Sequence, residues 1–219
     1  MKEGDFVEID YVGRIKESGE IFDLTSEEVA KKEGIYNPSA KYGPVTIVVG
    51  AGMVIPGVEK QIKKMKVGEE KEFDVKPEDG FGRRDPSLVK VISITKFFDN
   101  DIKPVPGLYV EVDGKEAKVQ SVSGGRVMVD FNNPLAGKEL HYTLKILRKV
   151  TDTEEKVKAL LSYYGIPYTT VKILDKKLEV YLSNEISKEL KAKASENIKK
   201  WVKELESVQF KEEKKIKRI

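Results

Sequence analysis

The chain has 219 residues, with 40 lysines and arginines, 37 aspartates and glutamates, and a net charge of +3. So small a positive excess does not by itself argue for a nucleic-acid partner, and we expect none. It has no cysteine and one histidine, which excludes disulfides, thiol nucleophiles, thiolate metal sites and histidine-rich metal sites. No apolar run is long enough to span a bilayer and no signal peptide precedes the first strand, so we expect a soluble, cytoplasmic protein without a membrane partner.

Residues 1–86 are expected to form strands around one short helix. Alternating polar and apolar residues predict an opening strand over 6–11 with one face buried, and a turn at 16–20 leads to a return strand that begins at Ile21-Phe22-Asp23. The other elements expected here are a short helical piece from Thr25 through Lys32, a loop over 35–44, and strands over 45–49 and 70–75.

The short helix is expected directly after Pro56-Gly57, a pair that interrupts regular structure. Val58, Ile62 and Met65 recur at helical spacing and form one apolar stripe, and Gly68 is expected to end the helix. A helix of this length is not stable alone. It therefore has to lie on the sheet, with Val54-Ile55 at the junction between strand and helix.

Between residues 87 and 133 the pattern predicts strands without helices. Tight turns are expected at Asp113-Gly114 and Gly124-Gly125. The strand-like runs that they separate cover 108–112, 117–122 and 127–131. A later strand over 140–150 closes the first sheet. Because the chain leaves that sheet and returns to it, we expect 87–133 to be an inserted, small all-β domain.

Residues 151–219 are expected to form a third, α/β-mixed domain in the order helix, strand, strand, long helix. The first helix begins near Thr151 and ends at Gly165, and the strands cover 169–174 and 178–182. Apolar residues then recur with the spacing of one long amphipathic helix, at Ile186, Leu190, Ala194, Ile198, Trp201, Leu205 and Val208.

The stripe of this long helix leaves two possibilities open. By default it packs on the two strands of its own domain. Because so few elements lie beside it, part of the stripe remains available for a second copy of the chain, and we predict a homodimer through residues 151–219. The tail from Lys211 is almost all charge; it could contact ribosome or RNA, but its mixed sign favours a solvated, frayed end.

Several sequence blocks carry a resemblance to a known family. They are Asp10-Tyr11-Val12-Gly13 with Gly19-Glu20-Ile21-Phe22-Asp23, Val48 to Glu59, and Glu78-Asp79-Gly80-Phe81-Gly82. In this order and spacing the chain resembles the FKBP-type peptidyl-prolyl isomerases over 1–86 and again over 134–150. Residues 87–133 resemble the insert-in-flap domain of the SlyD-like branch. The implied fold is α+β and multidomain, with an antiparallel sheet wrapped on a short helix.

The resemblance implies an enzyme that rotates X-Pro peptide bonds against a barrier of about 18–20 kcal/mol, which amide resonance creates. No bond is made or broken, so no nucleophile, metal or cofactor is needed. An apolar pocket that removes water from the imide favours the twisted form. The expected partners are unfolded proteins and proline-containing peptides, bound in part by apolar residues of the insert that its own core does not need. The alternative is a non-catalytic holdase chaperone that keeps the fold.

Matching the family motifs residue by residue implies which side chains line the pocket. The expected catalytic residues are Tyr11, Phe22 and Asp23, and the expected substrate-binding residues are Met53, Val54, Ile55, Val58, Phe81 and Tyr142. Asp23 would sit at the rim, where its carboxylate acts on the carbonyl carbon or orients the flexing peptide. The Ile55 N–H and the Met53 carbonyl would anchor the substrate backbone.

Three of these positions depart from the usual family pattern. Val58 stands where many members have tryptophan, which makes the pocket floor shallower. Phe81 replaces a tyrosine and loses a hydroxyl donor, whereas Tyr142 replaces a phenylalanine and adds a hydroxyl. We therefore expect modest proline isomerisation and weak macrolide binding.

Overall fold

The computed structural model describes residues 1–212. In this part of the chain the strands are β1 (Phe6–Ile15), β2 (Ile21–Leu24), β3 (Val45–Val48), β4 (Glu70–Val75), β5 (Val89–Ser93), β6 (Tyr109–Val112), β7 (Lys115–Ser123), β8 (Arg126–Asp130), β9 (Leu140–Lys149), β10 (Tyr168–Leu174), β11 (Lys177–Leu182) and β12 (Ser207–Glu212). The helices are α1 (Glu27–Lys32), α2 (Pro56–Lys64), α3 (Ile94–Phe98), α4 (Thr153–Tyr163) and α5 (Lys188–Trp201). None of these helices is long and apolar enough to cross a membrane.

The first sheet is antiparallel and has the strand order β2-β1-β9-β4, with β3 also paired to β1. The short helix α2 packs against this sheet through its buried residues Val58 and Ile62. Gly57 makes the close approach possible, because a Cβ there would lie 2.4 Å from Val75 Cγ1 on β4. An α+β core with one short helix on an antiparallel sheet is therefore present as expected.

The two faces of β1 belong to two different hydrophobic cores. Val7 and Ile9 point into the core that contains α2, whereas Phe6 packs among residues of α4 and α5. Alternate side chains of a strand point to opposite faces. The expectation that β1 has only one buried face is therefore wrong at its beginning, because the C-terminal part of the chain covers the second face.

The second sheet is antiparallel with the order β5-β8-β7-β6. Its hairpin turns at Asp113-Gly114 and Gly124-Gly125 have positive φ angles, as tight turns between twisted strands require. The expectation of an all-β insert is wrong, because α3 follows β5. The Ser93 hydroxyl accepts a hydrogen bond from the Thr95 N–H and so starts this helix, and Phe97 is then buried in the core of the sheet.

The third sheet has the order β10-β11-β12, in which β10 is antiparallel and β12 is parallel to β11. The expected long helix over 186–208 is wrong at its C-terminal end. The helix α5 stops at Trp201, and Val202 leaves helical geometry with φ −103° and ψ 81°. The chain then turns back and forms β12, which supplies the parallel strand.

Leu205 and Val208 continue the helical spacing of apolar residues in the sequence, but they lie beyond the end of α5. Leu205 is buried from the connecting turn, and Val208 packs against the same core from β12. Both positions face the interior, so their spacing alone does not distinguish a last helical turn from a loop and a strand. Lys211 lies on β12, and most of the tail that was expected to be solvated lies outside the described residues.

Candidate active site

A cavity of about 620 Å³ opens between the first sheet, the start of α2 and the segment that returns from the insert. Its lining residues are Ile9, Tyr11, Phe22, Asp23, Gly52, Met53, Val54, Ile55, Pro56, Val58, Phe81, Leu135 and Tyr142. All the site residues expected from the family motifs are in this set. The structure therefore brings them together around one hollow, while the role of each remains a prediction.

Aromatic rings form the walls of the cavity and hold one another in place. Phe22 meets Tyr142 edge to face with ring centroids 5.8 Å apart, and it meets Phe81 in the same way at 6.1 Å. Phe73, behind the wall, stacks on Tyr142 at 5.8 Å. Edge-to-face and offset stacking are the favoured geometries for aromatic pairs. The walls are therefore apolar and preorganised, and Val58 is nearly fully buried beneath them.

The aromatic wall requires a residue without a side chain at position 13, which the sequence patterns did not reveal. Gly13 lies on β1, and a Cβ at this residue would be 2.8 Å from Phe22 Cζ and 3.1 Å from Tyr142 Cε1. Real side chains do not tolerate the shorter distance. An isolated glycine inside a strand often marks such a close approach, so the glycine itself was the available signal.

Tyr11 is held at the cavity by interactions at both ends of the residue. Its phenol donates a hydrogen bond of 2.7 Å to Asp23 Oδ2 at the rim. Its backbone N–H donates to Thr25 Oγ1 at 2.8 Å, and its carbonyl accepts from the Thr25 N–H at 3.0 Å. The buried Thr25 hydroxyl also bonds to the Asp10 carboxylate. Thr25 therefore positions Tyr11 although it does not line the cavity.

The surroundings of the two phenols in the wall favour their neutral form beyond that of an ordinary tyrosine. Desolvation raises the pKa of Tyr11 well above its usual value, and the nearby Asp23 carboxylate raises it further. Burial also raises the pKa of Tyr142, with a smaller contribution from Asp23. Both hydroxyls therefore stay protonated at neutral pH, so Tyr11 can serve as a hydrogen-bond donor.

The entrance to α2 provides polar backbone groups at the edge of the cavity. Ile55 caps the helix in an extended conformation, with φ −62° and ψ 151°. Within residues 1–212 its N–H donates to no other group, as is common for the first amides of a helix. This leaves a backbone donor beside the apolar walls. The nearby Met53 accepts the Val48 N–H on its sulfur, at 3.3 Å.

Four lining residues were missed by the motif comparison: Ile9, Gly52, Pro56 and Leu135. Leu135 is the informative one, because it comes from the segment that returns from the insert. A second cleft, of about 1260 Å³, lies between the insert and the first sheet. Phe22 and Leu135 line both the cleft and the cavity, so the two spaces are neighbours.

The described residues contain no cluster of three histidine, cysteine, aspartate or glutamate side chains that could hold a metal ion. The histidine of the chain, His141, lies on β9 and bonds through Nδ1 to Asp74 Oδ1 at 2.8 Å. Lys16 also pairs with Asp74, at 2.7 Å. This polar group lies outside the cavity lining, so the cavity offers aromatic and aliphatic contacts with one carboxylate at the rim.

Comparisons with known proteins identify the family to which the sequence is similar. Residues 1–96 match the family model described as FKBP-type peptidyl-prolyl cis-trans isomerase, and residues 90–135 match the model described as FKBP26, IF domain. The chain is 40% identical to the short-type peptidyl-prolyl cis-trans isomerase of Methanocaldococcus jannaschii, over 67% of this chain and 92% of that protein. It is 28% identical to SlyD of Helicobacter pylori, over 51% of this chain and 63% of that protein. It is 29% identical to the FKBP-type 16 kDa isomerase of Escherichia coli, over 48% of this chain and 72% of that protein.

Proposed function

Because this chain belongs to the FKBP-type peptidyl-prolyl cis-trans isomerases, it rotates X-Pro peptide bonds, and we propose that it does so in unfolded proteins by desolvation without any covalent step. The observation that carries the mechanism is the convergence of Tyr11, Phe22, Ile55 and Tyr142 on one hollow. Water stabilises the planar amide by hydrogen bonding to its polarised carbonyl. An apolar hollow that takes the prolyl ring removes that water and lowers the cost of twisting.

The rim supplies the polar contacts of the proposed mechanism. The Ile55 N–H, which has no acceptor among residues 1–212, is suited to hold the substrate backbone beside the prolyl ring, and the Met53 carbonyl is proposed as a second anchor. Asp23, fixed by the Tyr11 phenol at 2.7 Å, orients the peptide as it rotates or acts on its carbonyl carbon. None of these groups needs to change its protonation state during the reaction.

The insert is proposed to hold unfolded chains next to the pocket. Several of its large apolar side chains face solvent, and the most exposed are Val91 at 59% and Phe98 at 55%. Val91 pairs directly with the exposed Met128 across β5 and β8, so the two form a contiguous patch. Exposed apolar patches are typical of protein-binding surfaces. The cleft that leads from the insert to Phe22 supports the passage of a client to the cavity.

We propose three domains: 1–86 with 134–150 as the isomerase, 87–133 as the insert, and 151–219 as a C-terminal domain that joins two copies of the chain. The first two proposals are supported by separate sheets with separate cores. The C-terminal core is less separate, because it includes Phe6 and Val48 of the first sheet. The exposed Leu174 on the edge strand β10 is available to a homodimer interface.

The alternative is a holdase that binds unfolded chains without using the pocket. An NMR exchange assay on a short proline-containing peptide separates the two. We expect Phe22→Ala and Asp23→Ala each to lower kcat/KM at least about tenfold, equivalent to about 1.4 kcal/mol of transition-state stabilisation. Glu17→Ala, in the exposed turn after β1, is the matched control and should leave the rate unchanged. A holdase would give the same exchange rate in all variants.

A further inference from the structure

A groove of about 480 Å³ lies between β3 and α4, on the side of the prolyl cavity that faces the C-terminal part of the chain. Tyr11, Met53 and Val54 line both the groove and the cavity. A substrate chain that leaves the cavity in this direction therefore reaches the groove next. No family motif accounts for this space, because one of its walls comes from residues beyond 150.

One wall of the groove is the exposed side of α4. Lys158, Ala159, Ser162 and Tyr163 line it, and their spacing places them on one stripe of the helix. The opposite side of α4 is buried through Val157, Leu160 and Leu161. The buried side holds the helix rigidly on the core, so the stripe that faces the groove is fixed in position.

The other wall is an edge of the first sheet with which no strand within residues 1–212 pairs. Among the described strands β3 pairs with β1. The Val48 N–H donates to the Met53 sulfur and so points away from β1. Phe6, which lies opposite Val48 on β1, accepts the Val150 N–H with its carbonyl, on the side of β1 away from β3. The pair Phe6–Val48 therefore makes no backbone bond between the two strands. Backbone groups of alternate residues in a strand point to the same side. The N–H and C=O of Thr46 therefore also point away from β1, towards the groove that Thr46 lines.

The chemistry of the groove favours an uncharged, extended peptide. The charged residues that line it are already paired: Arg148 bonds to Glu8 and to Glu155, each at 2.8 Å, and Lys158 bonds to Glu154 at 2.7 Å. Val45 and Tyr163 offer apolar contact from opposite walls, with exposures of 38% and 48%. A free strand edge beside apolar side chains is the arrangement that proteins use to bind a peptide as an added strand.

We propose that the segment of an unfolded client next to its proline binds in this groove as an extra strand on β3, paired to the backbone of Thr46 and covered by Tyr163. The C-terminal domain would thus be part of the substrate site. The inference rests on the proposed function, since it assigns the groove to the same client chain whose proline occupies the cavity.

The test compares short and extended peptides on the full chain. One peptide has four residues with a central X-Pro bond, and two others add six neutral residues before or after it. We expect one of the two extensions, and not both, to raise kcat/KM about threefold to tenfold, the gain that one or two additional hydrogen bonds bring. Tyr163→Ala should remove this gain and leave the rate on the short peptide unchanged.

A second pair of variants tests the strand pairing itself. Thr46→Pro removes the outward N–H but no bond to β1, whereas Thr46→Val keeps the N–H and the branched side chain. We expect the gain to disappear with proline and to persist with valine, in proteins whose circular dichroism is unchanged. If Thr46→Pro does not fold, Tyr163→Ala decides the outcome.

Equal rates for short and extended peptides, or a gain that survives Tyr163→Ala, would overturn the groove proposal. These outcomes differ from failure of the proposed function. In that case the full chain would not accelerate isomerisation of the short peptide at all. Titration of a fluorescent extended peptide with the wild type and with Tyr163→Ala would still measure whether the groove binds it.

Discussion

The ring of Phe22 on β2 lies over the backbone of Gly13 on β1 so closely that a Cβ at residue 13 would be 2.8 Å from its Cζ atom. The pairing of the two strands therefore sets the position of the ring that forms one wall of the cavity. A side chain at position 13 would therefore have to displace the Phe22 ring.

Gly13→Ala should consequently damage the site more than the fold. The methyl group displaces Phe22, and with it the edge-to-face contacts to Phe81 and Tyr142. We expect kcat/KM on a short peptide to fall about tenfold, with a loss of unfolding free energy of about 1–3 kcal/mol from overpacking. The measurement is the exchange assay together with urea denaturation. A variant with normal kcat/KM would contradict the close contact.

Gly57→Ala should loosen the packing of α2 on β4. A Cβ at this residue would lie 2.4 Å from Val75 Cγ1 and 3.2 Å from the Asp79 carbonyl, so α2 has to lift from β4. We expect a loss of about 1–3 kcal/mol in unfolding free energy. The double variant with Val75→Ala makes room for the methyl group. It should be less destabilised than the two single variants added together, and strict additivity would show that the contact is not as described.

The two buried phenols predict a loss of stability at alkaline pH. Their raised pKa values mean that above pH of about 10, the usual tyrosine pKa, the folded state keeps protons that the unfolded state releases. Their contribution to stability is complete below that pH and declines as the pH rises. Urea denaturation at pH 8 and pH 11 measures it. The double variant Tyr11→Phe/Tyr142→Phe should lose less stability between the two than the wild type, and an equal loss would contradict the prediction.

Removal of the insert should separate peptide turnover from protein refolding. Asp85 and Asn132 are joined by two hydrogen bonds, of 2.8 and 2.9 Å, so a short Gly-Ser link can replace residues 86–131. We expect unchanged kcat/KM on a tetrapeptide. Acceleration of a proline-limited refolding reaction should fall about tenfold or more, since a second binding site no longer raises the local client concentration.

Point variants provide the control for that deletion. Val91→Ser with Met128→Ser keeps the insert but makes its exposed patch polar, and should reproduce most of the refolding defect. If refolding is accelerated normally by both proteins, the insert does not hold the client.

Asp130 should stabilise the two chain segments that connect the insert to the first sheet. Burial alone would raise its pKa, but hydrogen bonds from Asn132 and Gln120 and the charge of Arg84 hold the pKa below its usual value. The contribution of Asp130 to the free energy of unfolding is therefore present above the ordinary aspartate pKa of about 3.9 and is lost as the pH falls below it. Asp130→Asn should speed amide exchange at neutral pH around residues 84–86 and 130–133. The exposed Asp99→Asn is the matched control, and equal exchange in both would refute the role.

The family motifs were sufficient to predict which side chains meet at the cavity, because most of them lie on β1, β2, β9 and near the start of α2, which surround it. They did not predict Leu135 or the groove beside α4, since these depend on how distant segments fold back. The closeness of Gly13 to Phe22 depends on the register between β1 and β2, which a bulge alters between Gly13 and Arg14.

The errors in secondary structure have a shared cause. In both α3 and the end of α5, the apolar residues face a core at spacings that fit more than one element. Phe97 is buried from a single helical turn, and Val208 from a strand that pairs with β11. Periodicity reports which residues are inside but not the path by which the backbone brings them there.

The pairing of β1 with β9 has a consequence for synthesis on the ribosome. Ile15 pairs with Leu140 and Val7 with Lys149, so the sheet that carries the cavity cannot close until more than a hundred further residues have been translated. Among the described strands, those of the insert pair only with one another and depend on short-range contacts, which form faster. The insert is thus free to fold before the hollow in the first sheet exists. With the client-holding role proposed for the insert, a nascent copy would hold other chains before it can isomerise them.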